Sequence, residues 1–236
     1  MKKIWVISKK ELVNYFKTPM AYIILILCIL IFNLFFFLIV DTNQEASLRD
    51  VFQVMQFMLL FFVPFLTMKI FAEEKLLGTM EFLTTTPTTI TEIVLGKYLG
   101  SFLFFMVLVL LTGVYYLIME YFGAIDGMAV VCGYIGFILE GALFIAIGIM
   151  ASSWTQNQIV AAVSSYTILF ALYFASSLTK YVSGPLEEIL RYVSVASHTE
   201  NFSVGLIHLS DLVYYITGIV LCLMLTRLSL RSHFWK

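Results

Sequence analysis

An all-α integral membrane protein with six transmembrane helices is the fold class this sequence predicts, and three observations carry the prediction. Of its 236 residues 61% are hydrophobic and only 12% charged, whereas a soluble domain has about 45–50% apolar and about 25% charged residues. A soluble core of this length cannot hide so much apolar surface, because surface grows too quickly relative to volume. Six stretches reach the roughly 20 apolar residues that cross about 30 Å of hydrocarbon. None alternates apolar and polar residues as a barrel strand would, so the backbone groups must be satisfied within helices. Disorder, a disulfide scaffold and a soluble nucleic-acid binder are excluded, and 14 Lys+Arg against 15 Asp+Glu gives no basic excess for a nucleic-acid partner.

The elements follow in order. Residues 1–18 mix five lysines with Ile4, Trp5, Leu12, Val13, Tyr15 and Phe16. Trp5, Leu12 and Phe16 fall on one side of a helix, which should lie in the headgroup plane with its lysines toward anionic lipid. Pro19 ends that helix where the chain turns into the membrane. The first span, about 20–40, carries no charge, is too long for a signal-peptide core and is followed by no small-residue cleavage site. The second, about 51–68, contains Pro64. In the segment 69–97, Leu76, Leu77, Met80 and Leu83 recur at helical spacing with Glu73, Glu74 and Glu81 around them, which predicts a short amphipathic helix. A turn over residues 84–89, with Pro87, follows, and Thr89 with Glu92 forms a capping box that opens the next helix.

The third span is about 98–119 and the fourth about 128–150, the latter rich in Gly133, Gly136, Gly141 and Gly148. Such residues let helices approach closely, and packing within the chain is favoured over a dimer seam. The fifth span, about 159–178, carries Ser164, Ser165, Ser176 and Ser177 as expected interhelical hydrogen-bond donors. Within 179–211, Pro185 opens a short helix with apolar residues at 186, 189, 190 and 193, read as returning into the outer leaflet. The sixth span is about 212–230. So little chain remains for loops that residues 1–236 are read as one domain. Trp154, Tyr98, Tyr181, Tyr192 and Trp235 sit near span ends, where aromatic belts form.

Basic residues set the orientation. Lys2, Lys3, Lys9, Lys10 and Lys17, then Lys69, Lys75 and Lys97, then Arg227, Arg231 and Lys236 share one side. They are eleven of the fourteen, against Arg49, Lys180 and Arg191 on the other. Both termini are therefore expected in the cytoplasm, with 179–211 outside.

Polar residues inside spans are the candidate path-lining groups: Asn33, Gln56 and above all Glu140, mid-way along the fourth span. A charge there is costly and points to a function facing the bundle interior, yet no basic residue lies at a span centre to pair with it. A protonated Glu140 bonded to a neighbouring helix is an equal reading. Cys28, Cys132 and Cys222 lie within spans and read as packing residues. His198, His208 and His233 fall in or near loops without cysteines beside them, so no metal site is expected. Gly96-Lys97 lacks the rest of a phosphate loop, and neither a nucleophile elbow nor a His-Glu-x-x-His is present.

Three passages resemble the ABC-2 type permeases, the transmembrane subunits of ABC exporters. They are Phe71-Ala-Glu-Glu-Lys-Leu-Leu-Gly-Thr-Met-Glu-Phe-Leu-Thr-Thr-Thr-Pro87 with Glu92-Ile-Val-Leu-Gly-Lys97; Gly148-Ile-Met-Ala-Ser-Ser-Trp-Thr-Gln-Asn-Gln158; and Leu209-Ser-Asp-Leu-Val-Tyr-Tyr215. The similarity is collinear along the chain and is greatest to the short six-span permeases associated with gliding motility and nitrous-oxide reductase maturation. It implies that 1–18 is an elbow helix, that 69–97 is a cytoplasmic segment docking on an ATPase, and that 179–211 holds re-entrant extracellular helices. Glu73, Glu74, Gly78, Thr79, Glu81 and Pro87 become the coupling positions.

The resemblance also implies a non-catalytic subunit with no cofactor of its own, in a bacterial or archaeal plasma membrane among its lipids. ATP and Mg would bind two copies of a separate ATPase subunit, and a second permease copy or paralogue would complete the exporter. Glu140 departs from the apolar residue expected at its place. Two alternatives stay open: an ATPase-linked membrane anchor of a motility or signalling machine, and a proton-coupled secondary transporter using Glu140.

Overall fold

The computed structural model describes residues 2–43, 48–79, 88–123, 126–182 and 184–234. Its helices are α1 (Lys2–Lys17), α2 (Pro19–Asn43), α3 (Arg49–Thr67), α4 (Lys69–Leu76), α5 (Ile90–Thr112), α6 (Val114–Phe122) and α7 (Gly127–Ser152). They continue with α8 (Gln158–Phe174), a 3-10 turn (Ala175–Tyr181), α9 (Pro185–Val193), α10 (Val195–Ser203) and α11 (Leu209–Phe234). No strand occurs among the described residues. Six helical stretches are long and apolar enough to cross a membrane: Pro19–Thr42, Arg49–Leu76, Ile90–Tyr121, Gly127–Ser152, Gln158–Tyr181 and Leu209–Ser232.

The axis of the bundle is α7. Buried residues make up 72% of its apolar stretch, against 22% for α2 and for α11. Lipid tails are as apolar as leucine, so helices in a membrane associate through close packing rather than through the hydrophobic effect. The α7 glycines provide that packing. A Cβ on Gly133 would lie 2.5 Å from the Phe52 ring, on Gly136 2.6 Å from Phe202, and on Gly141 2.3 Å from Phe105. Three phenylalanines from α3, α10 and α5 thus fill notches in one helix, so the small-residue stripe packs within the chain as expected.

Local signals fixed several boundaries. Pro19 begins α2 after a one-residue bend. Thr89 Oγ1 accepts from the Glu92 N–H (3.2 Å) while Glu92 accepts from the Thr89 N–H (2.8 Å), completing the capping box. The third span therefore starts two turns earlier than about residue 98, at Ile90. Pro185 opens α9 behind Gly184, whose φ is +86°.

Three expectations are corrected. The helix expected over Leu76–Leu83 does not run on from Leu76: α4 continues the second span and stops there, and Leu77–Thr79 form a turn. Gly78 adopts φ +66°, Thr79 N–H bonds Glu74 O (3.0 Å), and Gly78 N–H bonds Lys75 O (3.3 Å). This is a Schellman ending, which apolar periodicity does not detect. Met80, Leu83 and the turn as far as Pro87 lie outside the described residues. His198 stands on α10, not in a loop, and is buried. Ser164 bonds the carbonyls of Val160 and Ala161 in its own helix, while buried Ser165 has no partner among the described residues. Trp235 lies outside the described residues.

Candidate functional site

The described coupling candidates, Glu73, Glu74, Gly78 and Thr79, lie at the end of the bundle that carries α1, α4, the start of α5 and the α7–α8 turn. Assembly begins with Gly96-x-x-x-Gly100 on α5. A Cβ on Gly96 would meet Ile7 at 2.6 Å and one on Gly100 would meet Glu11 at 2.6 Å, so only glycine lets α1 lie this close. Trp5, Val6 and Val13 remain exposed on α1 away from this seam. Tyr15 leads into the same joint: its hydroxyl donates to Leu66 O (3.1 Å), sits 3.1 Å from Ser101 Oγ, and its ring stacks on Phe104 at 4.8 Å. Burial pushes the pKa of that hydroxyl well above its ordinary value; the Ser101 hydrogen bond opposes this and the Glu11 charge adds to it.

Close approach of α1 brings Glu11 to Lys97. The Lys97 ammonium, with its side chain only 3% exposed, donates to Glu74 Oε1 (2.8 Å), Glu11 Oε1 (3.0 Å) and Ile70 O (3.1 Å). All three ammonium hydrogens are thereby used. The Phe71 ring covers the cation at 5.3 Å. One lysine thus ties α1, α4 and α5 together.

A second tie holds α4 from the other side. The second span bends at Met68, one turn beyond Pro64, so the first amides of α4 lack helical carbonyl partners. Ser152, at the end of α7, supplies them: its Oγ accepts from Phe71 N–H (3.0 Å) and Ala72 N–H (3.1 Å) and donates to Met68 O (3.0 Å). Lys75 Nζ donates to Ser153 O, which also accepts from Ser229 Oγ of α11 (3.1 Å). The passages around Glu74 and around Ser152, more than seventy residues apart, are tied by these bonds into one platform.

The structure sets the candidate coupling residues in distinct places. Glu74 points inward to Lys97, and its Oε2 is buried without a partner among the described residues. Glu73 is half-buried and lines a cleft beside α1. Gly78 and Thr79 form the cap of α4, next to exposed Leu76 and Leu77. Glu81 and Pro87 lie outside the described residues. Lys97, Glu11, Ser152 and Ser153 were missed as site residues. The glycine pair around Lys97, a charge at the edge of the third apolar run, was the sequence signal available.

The path candidates are not brought together as one site. Asn33 is exposed on α2 and accepts from Tyr115 OH (2.8 Å). Gln56 is buried on α3, with Ser203 Oγ donating to its Oε1 at 3.5 Å and its Nε2 unpartnered among the described residues. Glu140 is fully buried on α7, and neither carboxyl oxygen has a hydrogen-bond partner among the described residues.

At the opposite end of the bundle, His198 Nδ1 lies 2.6 Å from Asp211 Oδ1 and its Nε2 donates to Tyr192 O (2.9 Å). Asn201 donates to Asp211 Oδ2 (2.9 Å), and Tyr214 stacks on the imidazole at 4.1 Å. This knot joins α9, α10 and α11. No cluster of three or more His, Cys, Asp or Glu suited to a metal occurs among the described residues.

A family model described as ABC-2 family transporter protein matches residues 39–226. No curated protein matches the chain. The match covers most of the sequence, so the chain belongs to the ABC-2 transporter family, as a multi-pass membrane protein with six spanning helices.

Proposed function

We propose that this ABC-2 family member is the permease subunit of an ATP-binding-cassette exporter, driven by a separate ATPase subunit bound at the α4 end. The observation that carries this reading is the platform itself. A helix that continues a membrane span past the bend at Met68, pinned by Lys97, Ser152 and Ser153 and ending in exposed leucines, can pass a push on its end to the bundle. Nucleotide-driven closure of two ATPase subunits, with ATP and Mg held there, would push on residues 73–87 and tilt α3–α4 against the bundle. A ligand bound elsewhere would thereby bias a two-state arrangement of the helices. This chain contributes no catalytic group and works with a second permease copy or paralogue.

In this reading α1 is the elbow helix at the inner surface of a plasma membrane, both termini are cytoplasmic, and α9 and α10 are the extracellular helices. The inward turn of Glu74 makes it and Lys97 the joint that carries motion to α1 and α5. Glu73, Leu76, Leu77, Gly78 and Thr79, followed by Glu81 and Pro87, form the docking side. A second reading, proton-coupled transport, has one observation in its favour: the buried, unpartnered carboxyl of Glu140.

The test is co-purification of the tagged protein from its own host in mild detergent, with mass spectrometry and an ATP hydrolysis assay on the eluate. A stoichiometric ATPase with Walker motifs is expected. Leu76 is 63% exposed and carries little of the core, so Leu76→Asp should cut ATPase recovery at least about tenfold, as loss of an apolar anchor does, with thermal unfolding unchanged. A chain that purifies alone, with hydrolysis absent, would overturn the exporter reading and move the weight to Glu140.

A further inference from the structure

A cleft of about 240 Å³ opens beside the platform, between α1, α2 and the α3–α4 junction. One end is apolar, formed by Ala21, Ile24, Phe65 and Leu66. Phe65 is 43% exposed on the outer face of its span, so this end opens toward the surrounding lipid. The other end is charged. Lys97 is saturated there by Glu11, Glu74 and the Ile70 carbonyl. Lys69 and Glu73 are not saturated: both line the cleft, both are half-buried, and neither has a hydrogen-bond or ion-pair partner among the described residues. They stand four residues apart on one face of α4, yet they do not pair with each other. Two opposite, unpaired charges at the mouth of an apolar cleft call for an occupant bearing both signs and an apolar tail.

We propose that the cleft binds one zwitterionic phospholipid with a primary-amine headgroup, phosphatidylethanolamine, its phosphate on Lys69, its ammonium on Glu73, and its acyl chain along Ile24 and Phe65. The charges select among lipids. An anionic headgroup without an amine satisfies Lys69 but sets its phosphate against Glu73, with the unpartnered Glu74 Oε2 nearby. A choline headgroup carries the positive charge but has no N–H to donate, whereas a primary ammonium has three. The lipid would wedge α1 against α2 and α4, completing a platform whose far side is held by protein contacts alone. This assignment goes beyond the permease reading and does not depend on it, because binding is measured without ATPase or transport.

The experiment is native mass spectrometry of the delipidated protein titrated separately with phosphatidylethanolamine, phosphatidylcholine and phosphatidylglycerol in one detergent. Expected is one phosphatidylethanolamine retained per chain, with the other two at least about tenfold weaker. Glu73→Gln and Lys69→Gln should each loosen it by about tenfold while the lipid-free unfolding temperature stays that of the wild type. A photoactivatable phosphatidylethanolamine should label residues on α1 or α2 around the cleft. Equal retention of the three lipids, retention untouched by both substitutions, or labelling spread evenly around the bundle would overturn the proposal in favour of ordinary boundary lipid.

Discussion

Two carboxylates inside the helix bundle, one half-buried and one fully buried, stand in opposite circumstances. Glu74, near one end of the bundle, shares an ammonium with Glu11 at 2.8 and 3.0 Å. Glu140, at the middle of α7, touches no hydrogen-bonding group among the described residues. The first is a joint: removing charge from water is costly, and the cost is repaid only when a fixed counter-charge and further donors are present. The second has no such compensation, which a structural role does not require and a functional one can. A paired buried charge holds helices in place; an unpaired one is free to change its protonation or its partner.

That contrast can be broken most sharply at Lys97. Lys97→Met should destabilise the protein by about 3 kcal/mol, the low end for breaking a buried pair, because Glu11 and Glu74 keep side-chain exposures of 15% and 23%. Reversible unfolding in mixed micelles measures this, and an unchanged midpoint would mean that the triad carries no stability. Adding Glu11→Gln and Glu74→Gln to Lys97→Met should recover most of the loss, since no uncompensated charge remains. Gly141→Leu is next in size. Its Cβ alone would sit 2.3 Å from the Phe105 ring, and overpacking of this kind costs about 1–3 kcal/mol. A neutral outcome would show that α5 can slide along α7. The smallest effect is expected at Glu140: Glu140→Gln should shift stability by less than about 1 kcal/mol, because no hydrogen bond is lost. If it costs as much as Lys97→Met, the carboxyl has a partner and the contrast collapses.

The platform also differs from the opposite end of the bundle in what joins it. Around Lys97 and Ser152 the ties link α4 to α1, α5, α7 and α11. The His198–Asp211 knot instead links helices close in sequence, α9 to α11. Sequence reading found neither, though for different reasons. His198 and Asp211 are thirteen residues apart with a helix start between them, so their meeting depends on how α10 and α11 pack together. Glu11 and Lys97 are 86 apart, and no local pattern connects them.

What the sequence by itself determined is what local chemistry decides. Apolar runs of sufficient length had to be helices in lipid, since no other spanning structure made of these runs satisfies its own backbone. Pro19, Thr89 with Glu92, and Pro185 had to start helices, because the missing amide of proline and the reach of a capping side chain act within one turn. The family was legible from the passages at 71–97, 148–158 and 209–215, all of which lie within its match. Tertiary structure decided the rest. Gly78 ended α4 before the predicted amphipathic helix, since a left-handed residue overrides apolar spacing. The notches in α7 chose which phenylalanines enter them. Lys97, which in sequence only marks the cytoplasm-facing side, became the centre of a buried joint because Gly96 and Gly100 let α1 close over it. The physical reason is range: hydrogen bonding and solvation within a helix are settled over four residues, whereas a buried charge is settled by whichever distant segment the packing brings within 3 Å.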